Sequence, residues 1–198
     1  MNVTSNVVTS AGFALGLGIL LVQHARWWGV QALFKSGGGA AAPGGAPAAA
    51  AGGKRDPMQL AILWFGIAFG TLMVACPAGL LGTLAGFLRW GGNGIGGTVM
   101  SAMTGRQSSA LATASAPPLT DQGAIIVTIL VIVGWLLRKQ LPKPVKSKML
   151  AGVWCGSLLA ISTGVFAEIG NAVIPGTNAL GAQLFGGLVH GTLNGLFA

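Results

Sequence analysis

Three carboxylates, two histidines and two cysteines are the whole stock from which this 198-residue chain could build acid–base, nucleophilic or metal chemistry. Asp56, Asp121 and Glu168 lie far apart in the sequence and form no pair that could divide general acid and general base roles. His24 and His190 have no second His or Cys one helical turn away, and Cys76 and Cys155 fall in separate apolar runs, so nothing has metal-ligand spacing. No serine occupies a Gly-x-Ser-x-Gly turn. These residues predict a protein that is not an enzyme and holds no cofactor or metal, with the cysteines packing as small apolar side chains.

Two charged features remain. Glu168 is the acid that follows the fourth apolar run directly. At membrane depth it would be a candidate for proton or cation passage, and near the outer boundary it would simply reach water or head groups. Arg138, Lys139, Lys143, Lys146 and Lys148 form a short basic stretch that suits contact with lipid or a partner. The net charge of +8 makes nucleic acid a possible partner. That partner is not favoured, because basic residues flanking apolar runs are already accounted for by cytoplasmic retention and anionic head groups.

The elements that carry these residues are apolar. With 53% hydrophobic and 7% charged residues, the chain departs from the roughly 25% charged norm of soluble domains. The predicted fold class is an all-α integral membrane protein, a single domain over 1–198 with four transmembrane helices at about 7–28, 58–76, 119–137 and 149–167. Each run has about 19–22 residues, roughly 28–33 Å of helix, enough for a hydrocarbon core of about 30 Å. Residues 36–53, rich in Gly, Ala and Pro, read as a flexible linker. Pro77 should break the second helix and lay Gly79–Trp90 along the outer interface, with Arg89 and Trp90 in an interfacial belt and 91–118 an outer loop. Pro142 and Pro144 should hold the basic stretch extended, and Thr120 or Asp121 should cap the third span. The fourth ends near Ala167 and leads to Pro175, after which an apolar segment at 179–197 spans, re-enters or lies at the interface.

Charge sets the orientation. Nine of the eleven Lys and Arg residues fall between Arg26 and Arg55 or between Arg138 and Lys148, so these loops are cytoplasmic and the N-terminus is outside the cell membrane.

Glycine supplies the remaining signal. Gly12/Gly16, Gly66/Gly70, Gly82/Gly86, Gly152/Gly156 and the stripe Gly187, Gly191 and Gly195 share small-xxx-small spacing, which lets helix backbones approach closely, either within the chain or between copies. The order of parts also recurs in the two halves, and Gly82–Leu88 resembles Gly191–Phe197, the pattern of a parallel repeat about an axis along the membrane normal. The reading these features support best is a small polytopic membrane subunit for assembly of, or passage through, a membrane complex, homo-oligomeric through its glycine faces. A holin-like or channel-like permeabilising protein is the alternative, and a membrane accessory of a DNA-transfer apparatus, bacterial or phage in origin, is the second.

Overall fold

Thr9 begins the first helix by capping it: its Oγ1 accepts the Gly12 N–H at 3.1 Å, satisfying one of the donors a helix start leaves over. The structure, a computed structural model, describes residues 6–28, 57–76, 79–137, 139–161 and 165–190. In chain order these form β1 (Val7–Thr9), α1 (Ser10–Trp28), α2 (Pro57–Val74), α3 (Gly79–Thr104), β2 (Ala110–Thr113), α4 (Asp121–Leu137), α5 (Lys143–Leu159) and α6 (Val165–His190). The fold is mostly helical. Among the described residues, α2 alone is both long and apolar enough to cross a membrane, and α4 is a shorter apolar helix.

Three sequence expectations about the elements are corrected. The expected outer loop 91–118 is helical as far as Thr104 and contains a strand at Ala110–Thr113. Its glycines read as loop-forming by propensity, but tertiary packing uses them for close approach. A Cβ on Gly92 would stand 2.9 Å from Leu158 Cδ1, and one on Gly96 would stand 2.7 Å from the Ala11 carbonyl carbon. The helix ends where Gly105, at φ +68°, donates its N–H to the Ser101 carbonyl.

The apolar run 149–167 is not one helix. α5 stops at Leu159, and the chain continues extended because Ser115 N–H donates to the Ala160 carbonyl and Ala114 pairs with Ile161. The basic stretch is not extended throughout, since α5 begins at Lys143 with Pro144 in its first turn, where a missing N–H costs nothing. Pro175 lies inside α6. It and Asn171 are both on the exposed side of the helix, where the carbonyl released from the ladder is open to solvent.

Contacts give the helices their directions. Gly66 faces Gly152 and Gly70 faces Gly156, so α2 and α5 run parallel. Gly16 packs on Leu158 and Leu159 while His24, further along α1, meets Trp64 edge to face at 5.8 Å, so α1 runs antiparallel to both. α4 does the same, with Val127 against Leu72 and Ala75. α3 crosses one end of this group. Ala85 packs on Met73 in the last turn of α2, Gly92 on Leu158 near the end of α5, and Asn93 and Gly96 on the first turn of α1. The antiparallel β1–β2 pair and the 114–115 strap lie at the same end.

Candidate functional site

The structural centre is the seam between α2 and α5. A Cβ added to Gly66 would lie 3.0 Å from Gly152 Cα and against the Met149 carbonyl oxygen, and one added to Gly152 would lie 2.9 Å from Gly66 Cα and against the Leu63 carbonyl oxygen. One turn on, Gly70 and Gly156 repeat the arrangement, each added Cβ 3.1 Å from the facing Cα. Such reciprocal contacts between parallel helices put a pseudo-two-fold axis along the seam. The sequence carries the match once the register is known: Gly66-Ile-Ala-Phe-Gly-Thr-Leu-Met73 aligns with Gly152-Val-Trp-Cys-Gly-Ser-Leu-Leu159.

The same axis relates two polar clamps. Asn93 Oδ1 accepts the Thr9 N–H and the Thr9 Oγ1–H, each at 3.1 Å, and Asn93 Nδ2 donates to the Val7 carbonyl at 2.7 Å. Asn178 Oδ1 accepts the Thr120 N–H at 3.0 Å and the Thr120 Oγ1–H at 3.1 Å, and its Nδ2 donates to the Pro118 carbonyl at 3.4 Å. Thr120 also caps α4 through the Gly123 N–H at 3.2 Å, as Thr9 caps α1. Each asparagine therefore ties a cap residue to the middle of a crossing helix. A Cβ on Gly12 or Gly123 would strike the asparagine Oδ1, and a Cβ on Gly96 or Gly181 the backbone of the capped helix.

Burial repeats in step. Ala85, Arg89, Gly92 and Gly96 of α3 are buried, as are Gly170, Ile174, Thr177 and Gly181 of α6. The repeat is therefore Thr-x-x-Gly at a helix start and Asn-x-x-Gly within a crossing helix. The sequence comparison aligned Gly82–Leu88 with residues 191–197, which lie outside the described residues, whereas the contacts align α3 with α6 through Asn93 and Asn178. The Asn-x-x-Gly signal was present, but it is hidden among 34 glycines.

Other predicted site residues scatter. Gly12 and Gly16 of α1 and Gly66 and Gly70 of α2 all pack inside the chain. Gly187 is buried on α6, and Gly191 and Gly195 lie outside the described residues. Glu168 is exposed in the first turn of α6. Lys139, Lys143 and Lys146 are exposed and Lys148 is half-buried, all at the end away from α3, while Arg138 lies outside the described residues. Arg89 does not sit in an interfacial belt. It is 3% exposed and donates through Nη2 to Asn6 Oδ1 at 3.2 Å, because its long side chain reaches the chain just before β1.

The chain matches no protein-family model, no curated protein and no solved structure. Among the described residues, no three His, Cys, Asp or Glu side chains gather where a metal ion could be held. What the geometry offers is scaffolding: a glycine seam, two asparagine clamps, and ends of unlike charge. Arg26, Lys139, Lys143, Lys146 and Lys148 stand at one end, and Arg89, Arg106, Asp121 and Glu168 at the other.

Proposed function

We propose that this chain is an integral membrane subunit that crosses the bilayer through α1, α2, α4 and α5, with its N-terminus outside and its lysine-rich end in the cytoplasm, and that it serves assembly of, or passage through, a membrane complex. The observation that carries this reading is the apolar outer surface of the helices. Leu21, Trp64, Phe65, Ile129, Ile132 and Leu136 are all exposed. Each is about half exposed, so leaving it in water costs about half of the roughly 1.5–3 kcal/mol of a whole side chain, and nothing comparable in lipid.

Length is compatible with this arrangement. α4 and α5, of 17 residues each, are about 25 Å long, somewhat short of a core of roughly 30 Å, a mismatch that local thinning and snorkelling lysines absorb. From Gly152 to Leu159 α5 is buried at every residue but Trp154, so that stretch is shielded by its neighbours, and the exposed Lys143 and Lys146 precede it at the basic end. Four of the glycines that suggested association, Gly12, Gly16, Gly66 and Gly70, are occupied within the chain, and Gly187 is buried as well, so these five serve the fold of one copy.

Accessibility labelling tests the topology. In a background with Cys76 and Cys155 replaced by alanine, Gln107→Cys is expected to react with an impermeant maleimide on intact cells, and Ser147→Cys only after permeabilisation. Both positions are exposed. The opposite pattern would reverse the orientation, and equal labelling would remove the spanning arrangement.

Function is then read from liposomes carrying the purified protein, beside an inert four-span control. Vesicles that hold a small dye as tightly as the control are the expected result for an assembly subunit. Release above the control would replace that role with membrane permeabilisation.

A further inference from the structure

One difference between the two halves opens a groove. In the first half Gly16 lets α1 close on α5: a Cβ there would lie 3.0 Å from Leu158 Cβ, and Cys155 Sγ donates to the Gly16 carbonyl at 3.4 Å. The matching residue of α4 is Val127, whose fully buried side chain fills that space against Leu72, Ala75 and Ile174. The rest of α4 is thereby held away from α2. Trp135 and Leu150, which stand where the first half has His24 and Trp64, are 59% and 58% exposed. The separation leaves a groove of about 570 Å³ between α2, α4 and α5, lined by Phe65, Phe69, Leu130, Gly134, Met149 and Val153, with Lys146 at its basic end.

We infer that this groove holds an acyl chain of an anionic phospholipid whose phosphate pairs with Lys146, an inference that rests on the membrane reading above. Charge complementarity selects the occupant. Lys139, Lys143, Lys146 and Lys148 share this end of the molecule, and the two carboxylates among the described residues, Asp121 and Glu168, are at the other. Lys143 and Lys146 occupy the first turn of α5, which has no side-chain cap. The helix dipole is itself positive there, so the lysines do not serve the helix, and an anion is favoured by both. The groove is of single-ligand size, within about 300–1,000 Å³. A helix, about 10–12 Å across, would need a broader cleared face.

Native mass spectrometry of the full chain in mild detergent tests this, with phosphatidylglycerol and phosphatidylcholine of matched chain length as probes. Phosphatidylglycerol is expected to be retained at least about fivefold better, and Lys146→Gln to weaken its retention about fivefold, the effect of one lysine beside an anionic head group. Gly134→Leu fills the groove from a position whose Cβ meets open space, so the helices should be unchanged while retention is lost. Equal retention of the two lipids, or undiminished retention by Gly134→Leu, overturns the inference. So does a dimer that Gly134→Leu abolishes, which would give the groove to a second copy. A chain that stays monodisperse without detergent fails at the earlier step, the membrane reading itself.

Discussion

Gly156→Ala is expected to destabilise the protein by about 3 kcal/mol or more, the upper end of what overpacking a close contact costs. The added methyl would press on the Ile67 carbonyl oxygen and lie 3.1 Å from Gly70 Cα. Both are backbone atoms of a helix that cannot turn aside as a side chain can. The penalty would be a large share of a typical stability of about 5–15 kcal/mol. Gly152→Ala should behave alike, and Gly66→Ala combined with Gly152→Ala should cost less than the sum, since one separation of α2 and α5 relieves both clashes. Gly18→Ala and Gly134→Ala are the controls. Their Cβ positions meet nothing within 4 Å, so only helix propensity acts, and it favours alanine by up to about 1 kcal/mol. Thermal unfolding of the detergent-solubilised protein separates these cases. A Gly156→Ala variant that melts with the wild type would remove the seam as the organising contact.

Asn93→Ala is expected to cost about 2–3 kcal/mol and Asn178→Ala about 1 kcal/mol, although the two side chains make the same three hydrogen bonds. The difference comes from water. The groups left behind by Asn93 include the part-buried N–H and hydroxyl of Thr9, the last residue of β1, whereas those left by Asn178 include the exposed N–H and hydroxyl of Thr120. Solvent can take over the second set. Asn93→Asp keeps the acceptor for Thr9 and loses the donor to the Val7 carbonyl, so its stability should fall between those of the wild type and the alanine variant. Amide exchange in the first turn of α1 should rise in the same order. Equal losses at Asn93 and Asn178 would mean that both clamps are dry and that solvent access does not set the difference.

Much of this fold is legible in the chain. The apolar runs near 7–28, 58–76 and 119–137 contain α1, α2 and α4 to within a few residues, because a long uncharged run has few other ways to satisfy its backbone. The cap at Thr120 is legible for a local reason, since a threonine at a helix start needs only its own next turn. The glycine pairs 66/70 and 152/156 were also visible as close-approach surfaces. Their mutual pairing was not, since spacing within one helix says nothing about which helix it meets.

What the sequence determined by itself is composition and periodicity made local: helical apolar segments, caps, and the gathering of lysines between two of them. Only the tertiary structure decided the rest. It carried α3 through Gly92 and Gly96 because Leu158 and Ala11 lie where their side chains would be, and it ended α5 at Leu159 because a strap pairs with the next residues. It buried Arg89 beneath the chain's start, and it set Asn93 and Asn178 in register. These outcomes depend on contacts between residues some 58 to 86 positions apart in the clamps alone. Local propensity is worth about 1 kcal/mol per residue at most outside proline, and it yields wherever such packing and buried hydrogen bonding oppose it.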